Sequence, residues 1–452
     1  AWNHPNMPWD GTWLRTGKLA LGENGLPSIY EITTVAGDER TSIFQPQFSP
    51  DGRFLAYVSD KSGWWQIYIY NLETGEHRQL TQLLAEHGEP AWVQGVRTYA
   101  YSSDGKWIFF LRNQMGTIAL WQLEVATGAE QSIPLAGYTS LLQPAVSPDG
   151  KRIALLASAG NIPLRVITYD LGGGVHIWRR GMAEELSPSA YALPQHITWP
   201  GMDGGAAHGL FYPPQNEAFE VTNLPPLVVM VHGGPTSQRV ASFNGGVQFF
   251  TSRGYAVLDV NYRGSTGYGR EYRNKLRGNW GIYDVQDSVS GARALVDKKL
   301  ADGARLIIMG GSAGGFTVLK ALEDYPGFFR AGVCLYGVSN QFTLAADTHK
   351  FEAHYSDTLL GPLPQAADIY RKRSPIFFVD KIRDPLIIFQ GEIDNVVPRA
   401  QSDEVVESLK RRGIPHEYYL YPGEGHGFRK TENITAMYQS IDKFLRQHVI
   451  FA

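Results

Sequence analysis

Leu306-Ile307-Ile308-Met309-Gly310-Gly311-Ser312-Ala313-Gly314-Gly315-Phe316 is the stretch whose reading decides the fold. Four apolar residues give way to a serine between paired glycines, and a run to Asp324 of helical composition follows. A short unbroken apolar run reads as a buried strand. A Gly-x-Ser-x-Gly turn between strand and helix is the setting of a nucleophile elbow, where a sharp, strained turn lifts the serine hydroxyl above a sheet. The glycines are needed because a side chain there would meet the adjacent strand or helix. A phosphate-binding loop is the competing reading, but the stretch lacks the Lys-Ser/Thr ending that such a loop uses. With 49 glycines in the chain the bare pattern is weak, so the weight rests on the strand and helix at its two ends.

Outward from this turn, further buried-type strands alternate with helical segments. The strands are expected at 227–231, 256–260, 331–335, 386–389 and 416–420, with helices at 284–300 and 401–411 and a last one over 434–449. Residues 195–199 and 209–212 read as an opening hairpin. Continuous apolar strands alternating with helices predict a mainly parallel, doubly wound sheet covered on both faces, the α/β-hydrolase arrangement.

Two loops past strand ends supply partners for the serine. Asp394 lies in Gly391-Glu392-Ile393-Asp394, with Glu392 as its local competitor and Asp403 a weaker one. His426 lies in Gly423-Glu424-Gly425-His426-Gly427. The chain order Ser, Asp, His is the order this fold uses. The expected roles are Ser312 as nucleophile, His426 as proton acceptor and donor, and Asp394 as the group that holds the imidazole. The oxyanion donors are expected to be the N–H of Ala313 and, from the loop His232-Gly233-Gly234-Pro235, the N–H of Gly234 in preference to Gly233. Tyr262 and Arg263, in Asn261–Gly269 past the next strand, are read as lining the site or as structural. Trp280, Gly281 and Asp284 read as structural. No His/Cys/Asp/Glu cluster has metal-ligand spacing, so neither a metal nor another cofactor is expected.

The first half reads differently. Ser49-Pro50-Asp51-Gly52, Ser102-Ser103-Asp104-Gly105 and Ser147-Pro148-Asp149-Gly150 each precede an apolar strand and a second strand ending in a turn. Asp-Gly favours tight turns, and a period of ~40–50 residues with about four strands marks a β-propeller blade. Residues 12–33 look like part of a further blade, giving about four. Propellers close with roughly four to eight blades, so a partial propeller is expected over 1–185 and a catalytic α/β-hydrolase domain over 186–452. An open propeller exposes strand edges. Missing N-terminal blades are therefore expected to be absent or supplied by a second chain, or the chain forms a homo-oligomer.

Composition bounds the rest. Of 452 residues, 43% are hydrophobic and 19% charged, which suits a packed globular core. A net charge of −3 gives no electrostatic reason to expect nucleic acid or an anionic membrane surface. No run approaches the ~20 apolar residues of a membrane span, and Ala1-Trp2-Asn3-His4-Pro5 does not read as a signal peptide. Cys334 is the one cysteine, so no internal disulfide exists. A cytoplasmic setting is the expectation, with Cys334 a small buried hydrophobe.

These motifs together resemble the prolyl oligopeptidase family of serine peptidases, in its acylaminoacyl-peptidase and dipeptidyl-aminopeptidase-like branch. The resemblance rests on Gly310–Phe316, His232–Pro235, Asn261–Gly269, Gly391–Pro398 and Gly425–Gly427. In the first half it rests on Asn3–Asp10, Phe44–Gly52 and Ser62-Gly63-Trp64-Trp65. It implies a propeller joined to an α/β-hydrolase domain, with the site between them reached by short or unfolded peptides. It also implies release of one or two residues, free or acylated, from peptide N-termini. Glu86 and Glu89 are then candidate partners for a substrate ammonium, against a reading as solvated surface. A carboxylesterase with the same triad and a non-catalytic propeller scaffold are the competing functions. Family members are usually longer, and often carry a bulky residue where this chain has Ala313.

Overall fold

A computed structural model describes all residues except 184–185 and 219–221. The chain divides into two compact units. One holds 1–184 with 240–243 and 266–271; the other holds 185–239, 244–265 and 272–452.

The first unit contains three four-stranded antiparallel sheets, each strand beside the next in sequence. They are β3 to β6 (Ile43–Phe48, Phe54–Ser59, Gln66–Asn71, His77–Gln79), β7 to β10 (Tyr99–Tyr101, Trp107–Gln114, Thr117–Glu124, Glu130–Ile133) and β11 to β14 (Ser140–Val146, Arg152–Ala159, Ile162–Asp170, Val175–Arg180). The Ser-x-Asp-Gly turn has one physical design in all three. The Asp carboxylate accepts from the preceding Ser hydroxyl and from the backbone N–H two residues on, and the Ser oxygen accepts from the first residue of the strand that follows or its neighbour. Gly52, Gly105 and Gly150 take φ near +70°, the left-handed region open to glycine. Residues 12–33, expected to be part of a further blade, form a two-stranded sheet, β1 (Thr12–Leu21) with β2 (Pro27–Asp38). Toward its turn this hairpin exposes Leu19, Leu21, Ile29 and Ile32.

The second unit is built on one eight-stranded sheet. Its strands are β15 (Gln195–Pro200), β16 (Ala206–Tyr212), β17 (Leu227–Val231), β18 (Ala256–Asn261), β19 (Leu306–Gly311), β20 (Ala331–Leu335), β21 (Leu386–Gly391) and β22 (His416–Tyr421). Their order is 15-16-18-17-19-20-21-22; β16 runs antiparallel to both its neighbours, β15 and β18, and the six strands from β18 to β22 pair in parallel. The helices are α1 (Gly245–Thr251), α2 (Gly269–Asn274), α3 (Tyr283–Asp297), α4 (Ala313–Asp324), α5 (Gln341–Asp347), α6 (Tyr355–Leu360), α7 (Ala367–Arg373), α8 (Ala400–Arg411) and α9 (Thr431–Leu445). Met437, Ile441, Phe444 and Leu445 of α9 pack with Val228, Met230, Val257, Ile307 and Phe389 of the sheet. Burying one such side chain contributes roughly 1.5–3 kcal/mol. Among the described residues no helix is long and apolar enough to cross a membrane.

Candidate active site

Parallel register brings four loops together. Val231 lies opposite Gly310, and Gly311 opposite Leu335, so the residues after β17 and β20 flank the turn after β19. Gly391 lies opposite Tyr421, which sets the two loops after β21 and β22 side by side.

Ser312 heads α4 with φ 57° and ψ −123°, a conformation unfavourable for a residue with a Cβ. Its N–H donates to the Leu335 carbonyl at 3.0 Å and its carbonyl accepts from Phe316. The glycines have the steric purpose read from the sequence. A Cβ on Gly314 would lie 2.2 Å from the Val231 carbonyl oxygen, and one on Gly315 2.6 Å from Gly337 Cα. The Ser312 side chain makes no capping bond to α4, which leaves its oxygen for another partner.

That partner is His426, whose Nε2 lies 2.9 Å from Ser312 Oγ. His426 Nδ1 is 2.8 Å from Asp394 Oδ2. The other carboxylate oxygen of Asp394 accepts the N–H groups of Val396 and Val397, both at 2.9 Å. The buried Asp394 carboxylate thus accepts a hydrogen bond from Nδ1–H and leaves the Nε2 lone pair to accept the serine proton. Tyr336 packs its ring 4.8 Å from the imidazole.

The competitors for the Asp394 role sit elsewhere. Glu392 is exposed and accepts from Gly423 N–H, while Asp403 pairs with Arg399 and accepts from Tyr418. A residue not singled out from the sequence, Glu424, proves to anchor the histidine loop. It is buried and accepts from Arg429 N–H, Lys430 N–H and Asn433 Nδ2. Its placement between Gly423 and Gly425, two residues before the histidine, is the one sequence signal it had.

The loop after β17 lies over the elbow: a Cβ on Gly233 would be 3.3 Å from Ser312 Cβ and 3.8 Å from Ala313 N. Among the described residues, neither Ala313 N–H nor Gly234 N–H has a hydrogen-bond acceptor, and Gly234 is exposed with φ 123°. Buried side chains hold this loop from behind. His232 Nδ1 is 2.8 Å from the Gly233 carbonyl and its Nε2 2.8 Å from Ser265 Oγ. The Tyr355 hydroxyl accepts Thr236 N–H at 3.0 Å.

Tyr262 and Arg263 require correction as substrate-lining candidates. Tyr262 is 1% exposed, stacks on His232 and donates its hydroxyl proton to the Pro235 carbonyl at 2.9 Å. Arg263, also 1% exposed, places its guanidinium on Asp287 and Asp203, since a buried cation requires paired carboxylates. Asp284 is fully buried as a structural group, accepting Gly281 N–H at 2.7 Å and the Thr317 hydroxyl at 2.6 Å. Cys334 is buried, and burial pushes its thiol up to about 12.

In the first unit Glu86 is neither solvated nor presented to a ligand. It is 4% exposed and accepts Trp65 N–H and Gly269 N–H, both at 2.9 Å. Glu89 is half-buried, and burial raises its carboxyl above the usual range. No bond to it is seen among the described residues.

Residues 241–450 match the prolyl oligopeptidase family, and residues 27–190 match the TolB β-propeller domain. A dipeptidyl peptidase family member 6 from Caenorhabditis elegans is 38% identical over 232 residues, 49% of this chain and 31% of that protein. The acylamino-acid-releasing enzyme of Homo sapiens is 33% identical over 231 residues, 50% of this chain and 31% of that protein. These matches span about a third of the relatives' length. A solved Mycobacterium tuberculosis puromycin-hydrolyzing peptidase is 35% identical with a TM-score of 0.93, covering 99% of this chain and 67% of that one.

Proposed function

The chain belongs to the prolyl oligopeptidase family, and from that premise we propose that it is a serine peptidase hydrolysing short peptides, an exopeptidase releasing N-terminal residues or dipeptides. The observation that carries this is the hydrogen-bonded series Ser312 Oγ, His426, Asp394 at 2.9 and 2.8 Å, beside two N–H groups without an acceptor among the described residues.

In this reading Ser312 Oγ attacks the scissile carbonyl carbon while its proton passes to His426 Nε2. The carbonyl oxygen becomes an oxyanion facing Ala313 N–H and Gly234 N–H. Collapse of the tetrahedral species returns the proton from Nε2 to the leaving amine and leaves an acyl group on Ser312. Water, deprotonated by the same imidazole, then releases the acid. Asp394 holds the tautomer and offsets the imidazolium charge. Glu89 is the acid we assign to a substrate ammonium, whose charge would offset the burial that otherwise disfavours its ionised form; Glu86 is withdrawn from that role.

A fluorophosphonate probe tests the chemistry: labelling of the parent and none of Ser312→Ala is the expected outcome. Turnover of aminoacyl anilides, N-acyl-aminoacyl anilides and puromycin then tests the peptidase reading. Hydrolysis of p-nitrophenyl esters with background rates on all three amides would make the protein an esterase instead.

A further inference from the structure

We propose that His232 and Ser265 form a positioning pair that fixes the direction of the Gly233–Gly234 peptide and so aims the Gly234 N–H at the reacting carbonyl oxygen. This rests on the reading of Ser312 as nucleophile and Gly234 as an oxyanion donor.

The Gly233 carbonyl and the Gly234 N–H belong to one peptide unit, and in a trans peptide they point in opposite directions within a plane. Fixing the oxygen on one side therefore fixes the N–H on the other. A peptide between two glycines is also the kind least restrained by its own side chains. Glycine is required at 233, where a Cβ would crowd Ser312, and at 234, whose φ is 123°. The local sequence that allows the loop over the elbow thus also permits its peptide to turn over, and something outside the loop must hold it.

His232 is that group. Its Nδ1 stands 2.8 Å from the Gly233 oxygen. A carbonyl oxygen has no proton to give, so Nδ1 carries the hydrogen and donates it. A neutral imidazole then has a lone pair on Nε2, and Ser265 Oγ at 2.8 Å donates into it. The ring is fully buried, and burial, with the charge of Arg239 added, pushes its pKa down to about 3. It therefore stays neutral with one N–H across ordinary pH. The opposite tautomer would turn the Nδ1 lone pair against the carbonyl. Tyr262, stacked at 4.4 Å, keeps the ring plane in place. The Tyr262 hydroxyl also lies 3.3 Å from Nδ1 but donates to the Pro235 carbonyl at 2.9 Å, and Tyr355 accepts from Thr236 N–H, so neither bonds the Gly233–Gly234 peptide itself.

The test uses the full chain with Ser265→Ala and His232→Phe, and compares a p-nitrophenyl ester with its thiono counterpart, in which sulfur replaces the carbonyl oxygen. An aligned oxyanion donor discriminates against sulfur, a poor acceptor, so the oxygen-to-sulfur rate ratio reads the aim of the N–H. Expected for both variants is a kcat on the oxygen ester lower by roughly 10- to 100-fold, a KM close to the parent's and a collapsed ratio. A variant that keeps the parent's ratio overturns the proposal, whatever happens to its kcat, because mere loosening of the fold does not change that ratio. The ¹⁵N spectrum of the parent's histidine rings is a second readout needing no variant. A protonated Nδ1 on His232 supports the pair, and a protonated Nε2 overturns it. If the parent itself neither labels with fluorophosphonate nor turns over, the proposed function fails first, whereas a reactive parent with indifferent variants removes this inference alone.

Discussion

Ser312 accepts backbone strain so that its oxygen can leave the helix it heads and meet His426. The surrounding glycines make that possible, and they leave no room for change. Gly314→Ala would drive a methyl group to within 2.2 Å of the Val231 carbonyl oxygen. We expect it to lower the urea midpoint together with activity, at a cost of at least 1–3 kcal/mol, the range for overpacking; a parent-like midpoint would contradict the steric account. Asp394 works through charge and direction, with no comparable strain. Asp394→Asn keeps the shape but presents an amide to the imidazole, and kcat is expected to fall by about 10⁴-fold, as in other triads where the wrong tautomer is stabilised. Stopped-flow ester hydrolysis would show it, and a loss under tenfold would argue that another acid orients His426. These residues were legible in the sequence because each lies just past an apolar strand. The sequence leaves Arg263 open between lining the site and a structural role, because its partners Asp203 and Asp287 lie far along the chain and meet it only in the fold.

At the level of elements, α3 and α4 are joined by one buried carboxyl. Asp284, from the first turn of α3, accepts from Thr317 one turn into α4. Asp287 on its own helix and Arg373 from α7 are the charges that act on it or feel it. Burial raises its pKa from 3.8 to about 6, against the hydrogen bonds from Thr317 and Gly281 that favour the ionised form. The sign follows from proton binding. Between pH 3.8 and about 6 the fold holds this proton more tightly than the unfolded chain does. Its stabilising contribution is therefore complete at low pH and is lost as pH rises through 6. Asp284→Asn removes the titration. Denaturant midpoints of parent and variant, measured at pH 5 and 7.5, should shift in the variant's favour at the higher pH. An unchanged gap would mean that Asp284 stays ionised in the fold. Strand and helix bounds agree with the sequence reading to within a few residues because buried strands carry unbroken apolar runs. Residues 12–33 read as part of a blade and form two paired strands, β1 and β2, since strand-like composition does not reveal how many partners a strand will have.

Over the whole molecule, the two units do not divide along a single point of the chain. Segments 240–243 and 266–271 come after the second unit has begun, yet they pack in the first unit. Ala241 N–H donates to the Gly116 carbonyl, Arg270 N–H to the Gly63 carbonyl and Gly269 N–H to Glu86. Glu86→Ala leaves two buried N–H groups, of Trp65 and Gly269, without that acceptor. At about 1–3 kcal/mol for each group, hydrogen exchange at both amides should accelerate. Exchange unchanged from the parent would show that Glu86 does not hold segment 266–271 in the first unit.

The amino-acid sequence by itself determined the parallel sheet, the elbow, the repeat of Ser-x-Asp-Gly turns and the order of Ser312, Asp394 and His426. Each is a local pattern, written in periodicity or in the residues that a turn requires. Only the tertiary structure decided what Glu86, Arg263, Tyr262, Glu424 and His232 do. A charged or aromatic side chain has the same local appearance whether it meets water, a substrate or a backbone group folded in from far along the chain, and burial with its partners is what separates those cases.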